Sequence, residues 1–376
     1  MRMAREDITP LRIAFDAAPL LNPRTGVGHY TAALADHLLA ADPGLELSLF
    51  AVGRQPVAAA MPGGDRATLR RLRVPARLVV GAWELAGRPP GDVLFGEVDA
   101  VHGTNFWIPP LRRRNGLVTI HDLTFLLHPE FCTPRIRRYR WILPRVLRRC
   151  AVVLTPSETV AGQVASELAF PRDRIVVTPE GVRSSALGTS PQVKPSSAPA
   201  GEYVLFTGTH EPRKNLGRLL GAFARLGDLD LALVVAGRAG WGPENLRQSA
   251  DELGIAGRVS FTGYLPDEEL AALLAGARAF VFPSIYEGFG LPPLEAMAAG
   301  IPVVAAQAGS LPEVLGDAPF WCDPFDVESM AAAIRTAVTD EGRRATATAA
   351  GRARAARYDW ADTARLTLDA YRLAAS

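Results

Sequence analysis

Two adjacent cations, Arg213 and Lys214, lie in the segment GTHEPRKN, between a predicted strand and a predicted helix. Of the 41 basic residues only two are lysines, Lys194 and Lys214, so an arginine-rich chain retains a compact ammonium group in this loop. Two cations near a helix N-terminus form an anion site suited to a diphosphate. The alternative is a solvated pair of surface charges.

A second candidate loop, YEGFGLPPLE at 286–295, combines glycines with two carboxylates. Gly288 and Gly290 leave backbone N–H groups accessible beside the start of a predicted helix, where anions bind. Glu287 lies in the loop and Glu295 about one turn inside the helix, so they could bind hydroxyl groups on both sides of a diphosphate. A helix cap with a surface glutamate is the alternative.

The first half of the chain offers further candidates at the ends of predicted strands. In TGVGHY, Gly26 and Gly28 open a predicted helix and would let backbone approach a phosphate. A glycine turn is the other interpretation. His121, in VTIHDL, is a candidate hydrogen-bonding or proton-relay group, as are His102 and Asn105 in VHGTNF. Each histidine could instead be structural.

Alternating strand and helix patterns must position these loops. Parallel sheets with right-handed crossovers follow from this alternation, and their ligands bind at the carboxyl ends of strands. We predict two doubly wound α/β domains. The predicted strands are 11–16, 45–50, 98–103, 117–122, 151–157, 175–179, 203–208, 231–237, 259–263, 279–283 and 302–305, and the predicted helices are 27–40, 134–149, 216–226, 244–253, 267–275, 292–299, 327–339 and 358–374.

Composition limits the class of protein. The 376 residues are 48% hydrophobic and 21% charged, which excludes disorder as the main state. No apolar run is long enough to span a membrane, and the N-terminus lacks the apolar region of a signal peptide. Three dispersed cysteines and six histidines show no metal-site spacing, so we expect no metal and a cytoplasmic location.

Charge is distributed unevenly along the chain. Residues 1–185 carry 24 basic and 17 acidic residues (+7), and residues 186–376 carry 17 and 22 (−5). This basic excess is too dispersed to predict nucleic-acid binding. The segment PRIRRYRWILPRVLRR at 134–149 carries seven arginines. It could form an interfacial helix on an anionic membrane, or a solvated face over the core.

The motifs together resemble the retaining glycosyltransferases of family 4, which have the two-domain GT-B architecture. The resemblance covers nearly the whole chain from about residue 11, and its most specific part is E-x-F-G-x-x-x-x-E, formed here by Glu287, Phe289, Gly290 and Glu295. The segments LVVAGRAG, VSFTGYLPDEEL and TPSETV also match. The chain departs from the family pattern at Thr209, where relatives often have arginine, and at Glu180, where they often have asparagine.

The resemblance implies a division of labour between two Rossmann-like domains. It implies an acceptor-binding domain at 1–185, a linker at 186–200, a nucleotide-sugar domain at 201–357, and a C-terminal helix at 358–376 packing back on the first domain. It also implies that Glu287 contacts hydroxyl groups of the donor sugar and that Glu295 contacts the ribose. Gly26, Gly28 and His121 would close the site from the side of the first domain. Backbone at Phe289, Gly290 and Leu291 would face the diphosphate with Arg213 and Lys214, and Tyr264 and Leu265 would lie near the base.

The implied activity is retaining, metal-independent transfer of a hexosyl unit from a nucleotide sugar to a hydroxyl group. The acceptor would be a glycan, a lipid-linked glycan or a natural product. Similarity to mannosyltransferases of bacterial surface-polysaccharide assembly favours mannose from GDP-mannose. The alternatives are a UDP- or dTDP-sugar transferase acting on a small molecule, an epimerase or phosphorylase, and a non-catalytic nucleotide-sugar binding protein.

Overall fold

The computed structural model describes residues 10–21, 26–54, 62–85, 87–182, 195, 197–242 and 245–376. Most of the predicted linker, including Lys194, lies outside the described residues. Within these ranges, no helix is both long and apolar enough to cross a membrane.

The first domain is built on a sheet of seven parallel strands in the order β3-β2-β1-β4-β5-β6-β7. Its elements are β1 Arg12–Asp16, α1 Gly26–Ala41, β2 Glu46–Val52, β3 Ala67–Leu72, α2 Ala76–Leu85, α3 Asp92–Phe95, β4 Ala100–Gly103, β5 Gly116–Thr119, α4 Thr124–Leu127, α5 Pro134–Arg137, α6 Tyr139–Leu147, β6 Cys150–Thr155, α7 Glu158–Leu168 and β7 Ile175–Val177. Strands β1, β2, β4, β5 and β6 are largely apolar and buried, as parallel strands covered on both faces must be, whereas the edge strand β3 is exposed or half-buried along its length.

The second domain repeats the design with six parallel strands in the order β10-β9-β8-β11-β12-β13. Its elements are β8 Glu202–Thr207, α8 Leu216–Ala224, β9 Leu231–Ala236, α9 Leu246–Glu252, β10 Val259–Gly263, α10 Asp267–Gly276, β11 Ala279–Phe282, α11 Leu291–Ala298, β12 Val303–Ala306, α12 Leu311–Leu315, β13 Phe320–Cys322, α13 Val327–Thr339 and α14 Glu341–Ala355. The predicted α/β class with two doubly wound domains is confirmed.

The topology explains where a ligand site must form. In both sheets the strand order reverses beside the first strand, between β1 and β4 and between β8 and β11. At such a reversal, the loops after the two neighbouring strands lead away from each other in opposite directions. They therefore leave a crevice at the carboxyl edge of the sheet. The Arg213 loop follows β8 and the Glu287 loop follows β11, so the two candidate loops border one crevice.

One further helix, α15 Trp360–Ala375, returns from the second domain to the first. Trp360, Leu368 and Tyr371 are buried in one hydrophobic cluster with Ile13 and Phe15 of the first sheet. The helix therefore completes the core of the domain that the chain begins with.

The predicted helix over 134–149 is wrong in its continuity, because the structure divides it into α5 and α6. The break falls at Arg138, ahead of Pro144, which lies inside α6. Leu143, Val146 and Leu147 of α6 face the core, whereas Trp141 is 62% exposed. Strand β5 is also shorter than predicted and ends at Thr119, so His121 lies in the loop beyond it.

Candidate functional site

A network of two cations and two carboxylates lies at the crevice, with Lys214 and Glu287 buried and Arg213 and Glu211 partly buried. Lys214 Nζ is 2.6 Å from Glu287 Oε1, and Arg213 Nη1 is 2.7 Å from Glu287 Oε2. Arg213 Nε also donates to Glu211 Oε2 at 3.1 Å, and the Lys214 ammonium lies 4.6 Å from the centre of the Phe282 ring. The structure thus joins the two loops that the sequence singled out.

The network sets the ionisation of Glu287. Burial alone would raise the pKa of this carboxyl, but Arg213 and Lys214 outweigh it and lower the pKa to about 2. Burial and repulsion by Arg213 lower the pKa of Lys214, while Glu287 opposes both effects. A guanidinium carries five N–H donors and an ammonium three. The pair therefore retains capacity to bind phosphate oxygens beyond its contacts to Glu211 and Glu287.

Glycines shape the loop that leads into α11. Gly290 has φ of 107°, a left-handed conformation, and an added Cβ would lie 2.5 Å from Leu311 Cδ2. The Ser310 N–H donates to the Glu287 carbonyl at 3.0 Å, which fixes the other side of the loop. The first N–H groups of a helix have no partner within it. The backbone at Phe289, Gly290 and Leu291 thus leads into α11, directly after the Glu287 loop that Arg213 and Lys214 contact.

Loops of the two domains meet at Gly288. A Cβ added to Gly288 would lie 1.7 Å from the carbonyl oxygen of His121, so only glycine permits this approach. The Ser157 hydroxyl donates to the Gly288 carbonyl at 2.8 Å, and the Leu123 N–H donates to the Tyr286 hydroxyl at 3.2 Å. The crevice is therefore closed along this edge.

A second contact between the domains caps a helix. The Glu313 carboxylate of α12 accepts hydrogen bonds from the Glu158 N–H at 2.7 Å, the Thr159 N–H at 2.8 Å and the Thr159 hydroxyl at 2.7 Å. A carboxylate at this position satisfies unpaired N–H groups of α7 and complements the helix dipole. The two domains are thus joined by hydrogen bonds on both sides of Gly288.

Of the candidate residues of the first domain, His121 lies on this closed edge. His121 contacts Gly288 through its carbonyl, while its ring nitrogens bond to Glu180 and to the Thr104 carbonyl inside the domain. Gly26 begins α1 with open space around its Cβ position. Gly28 is buried within the first turn of α1.

A cavity of about 720 Å³ lies between the domains, beyond the cation network. Phe131 comes from the first domain, and Trp241 of the second donates its indole N–H to the Phe131 carbonyl at 2.8 Å. His210 also lines the cavity, and its Nε2 is buried without a hydrogen-bond partner among the described residues. Sequence reasoning missed these three residues, although the glycines of GRAGWG after β9 were a signal of close backbone approach.

Two of the residues predicted to hold the nucleoside, Tyr264 and Leu265, follow a residue that lines this cavity. Gly263, at the end of β10, lines it, and Tyr264 and Leu265 follow directly. Tyr264 is 53% exposed, and the Arg238 guanidinium lies 4.5 Å from its ring centre. Glu295 is buried on α11, one turn after Leu291. Their contacts with a ligand remain a prediction.

Other candidates from the sequence have structural partners. His102 is buried, with its ring bonded to the Tyr371 and Thr119 hydroxyls, and burial lowers its pKa to about 3. Among the residues the structure describes, no three His, Cys, Asp or Glu side chains gather into a metal-binding group.

Comparison with known proteins follows the same two-part division. The family model described as Glycosyltransferase Family 4 matches residues 24–185, and that described as Glycosyl transferases group 1 matches residues 192–354. The O-antigen chain mannosyltransferase B of Escherichia coli is 34% identical over 96% of this chain and 100% of its own length.

Two solved structures share the fold. Sucrose-phosphate synthase from Thermosynechococcus elongatus superimposes with a TM-score of 0.75 at 19% identity, over 96% of this chain and 98% of its own. Anabaena Alr3699/HepE in complex with UDP and glucose superimposes with a TM-score of 0.69 at 20% identity, over the same shares. At these identities the likeness shows the GT-B fold alone.

Proposed function

The chain belongs to the family 4 glycosyltransferases and is an enzyme that transfers a sugar, and from this premise we propose that it moves a mannosyl unit from GDP-mannose to a hydroxyl group of a glycan. The single observation that carries the site assignment is the network of Arg213, Lys214 and Glu287 at the crevice. The mannosyltransferase name of the full-length relative supports the choice of sugar.

The proposed chemistry breaks the bond between C1 of the sugar and a phosphate oxygen. Negative charge grows on the leaving diphosphate, and Arg213, Lys214 and the N–H groups at the start of α11 stabilise it. Such preorganised donors contribute a few kcal/mol each to the transition state. These residues fit a reaction without a metal, because two cations and a helix N-terminus supply the positive charge that a divalent ion otherwise provides.

We further propose that the anomeric configuration is retained. The acceptor hydroxyl would attack C1 on the face from which the diphosphate leaves, and a leaving phosphate oxygen would take the acceptor's proton. Glu287 forms short ion pairs with Arg213 and Lys214, and those cations keep its carboxyl ionised. Its role in this scheme is to bind donor-sugar hydroxyls and orient the cations.

A thermal-shift series with GDP, UDP, dTDP and ADP, each with and without EDTA, tests the donor. A ligand that binds only the folded state stabilises it by about 2.7 kcal/mol at a hundred times its Kd. We expect a selective rise in Tm with GDP that EDTA does not change. A rise with UDP or dTDP instead would overturn the mannose assignment, and loss of the GDP effect in EDTA would overturn metal independence.

The arginine-rich surface of the first domain supports a proposed contact with anionic membrane. Arg140 lies 4.6 Å from the ring centre of exposed Trp141, and Leu78 of α2 and Val93 of α3 are also exposed. Interfacial segments combine such aromatic and basic side chains. We propose peripheral attachment of a cytoplasmic enzyme through this surface, close to a lipid-linked acceptor.

We expect the protein to sediment with liposomes that contain anionic lipid and to be released by salt. Trp141→Ala should weaken this binding, while Trp241→Ala, which changes a tryptophan of the cavity between the domains, should leave it unchanged. Equal recovery with neutral and anionic liposomes would contradict the proposal.

A further inference from the structure

A buried ion pair joins the end of β5 to the segment after β7. His121 Nδ1 lies 3.2 Å from Glu180 Oε1, and the two side chains are 13% and 9% exposed. Building on the proposed glycosyl transfer, we propose that Glu180 is a positioning residue: it holds His121 as an imidazolium cation and thereby fixes the loop that closes on Gly288.

The two hydrogen bonds of the His121 ring fit a ring that carries two protons. Its Nε2 lies 2.9 Å from the Thr104 carbonyl oxygen, which can only accept, so Nε2 carries a proton. Its Nδ1 faces the Glu180 carboxylate, which also accepts when ionised. With Glu180 ionised, both contacts are satisfied at once by the doubly protonated ring.

The groups around the ring favour the same state. Glu180 and Asp122 place negative charge near it, and although burial lowers the pKa of His121, these partners and the Thr104 carbonyl outweigh burial and raise it. Tyr30 of α1 packs its ring 4.7 Å away, and burial raises its pKa, so it stays neutral. His102, bonded to hydroxyl groups, is neutral as well.

Glu180 lies in a segment that is held by hydrogen bonds to the C-terminal part of the chain. The Val182 N–H donates to the Tyr358 carbonyl at 3.1 Å, and the Thr363 hydroxyl donates to the Pro179 carbonyl at 2.6 Å. Glu180 therefore lies where the chain leaves the first domain and where α15 returns to it.

The other partner of the pair belongs to the closing loop. The carbonyl of His121 contacts Gly288, and the N–H of Leu123 donates to Tyr286. The ion pair thus connects the segment around Glu180, where the chain leaves the first domain, to the His121 loop, which contacts Gly288 of the second domain.

Histidine NMR measures the proposed protonation without any need for turnover. In the wild-type protein we expect His121, assigned with His121→Asn, to titrate above the ordinary histidine range. Glu180→Gln should lower its pKa by about one unit or more, since an opposite charge at this distance is lost. Glu97→Gln, which removes an exposed carboxylate, is the matched control.

The pH profile of transfer measures the positioning role. We expect kcat/KM to fall as pH rises through the pKa of His121, and this limb should move to lower pH in Glu180→Gln while the nucleotide-induced Tm shift persists. Glu180→Asp, which keeps the charge, should move the limb less and replaces Glu180→Gln if that variant does not fold. Unchanged titration of His121, or an unmoved limb, would overturn the inference.

The two proposals fail in different ways. A wild-type protein that transfers no sugar from any donor would refute the proposed function. The titration of His121 in Glu180→Gln would still decide whether the ion pair exists.

Discussion

Lys214→Ala is expected to lower kcat about 10²–10³-fold at saturating donor, the loss typical of removing one donor to a developing charge. Lys214 is buried against Glu287 and follows Arg213 directly in the loop that borders the crevice, where we propose that the diphosphate leaves. Its charge gains most when the leaving group becomes more negative, so the effect falls on kcat more than on donor KM. Single-turnover assays with saturating GDP-mannose measure it.

The sequence provides a matched control for this substitution. Lys194 is the only other lysine, and Lys194→Ala should leave kcat unchanged. The melting temperature of Lys214→Ala must be measured as well, because Glu287 then keeps only Arg213 as a cationic partner. A folded Lys214→Ala protein with near-normal kcat would refute the cationic role.

Gly288→Ala is expected to lower kcat/KM about a hundredfold, because displacement of reacting groups by about 1 Å costs this much. The added methyl would lie 1.7 Å from the His121 carbonyl oxygen and 3.0 Å from Asp122 Cβ, so the two loops must move apart. Gly288 belongs to the loop of the second domain, but the atoms nearest to its added methyl all belong to His121 and Asp122 of the first domain. Nucleotide binding, followed by thermal shift, should therefore survive while transfer is lost.

Gly162→Ala is the control for this second substitution. Gly162 lies on α7, near the same boundary between the domains, and an added Cβ meets nothing within 4 Å. We expect normal transfer and slightly higher stability, since alanine favours a helix over glycine. Full activity in Gly288→Ala would show that turnover does not require the observed closure.

The sequence predicts the architecture because parallel strands have a strong local signature. Buried runs such as LALVVA at 231–236 are apolar throughout and are separated by amphipathic helices. Once these are paired in parallel, the loops of Arg213 and Glu287 must share an edge. The contact between those two side chains could thus be anticipated. The additional ion pair between Arg213 and Glu211 could not be predicted from the sequence pattern.

Other features depend on distant or weakly patterned residues. Helix α14, EGRRATATAAGRARA, has only Gly351 and Ala355 buried, so it lacks the apolar stripe that periodicity detects. The pairing of His121 with Glu180 joins the ends of β5 and β7, which are separated by β6 in the sheet. The hydrogen bonds from α7 to the Glu313 carboxylate depend on how the two domains meet. No local pattern encodes such contacts.

The return of α15 to the first sheet has a consequence for how the protein is made. A ribosome delivers residues 10–182 long before Trp360 and Tyr371, which share a core with Ile13 and Phe15. Domains generally fold as units during synthesis, yet this first domain is incomplete until α15 emerges. The second domain, whose core lies within residues 203–355, can therefore finish first. Throughout that interval the nascent first domain exposes the apolar surface that α15 later covers, and chaperones would bind to that surface.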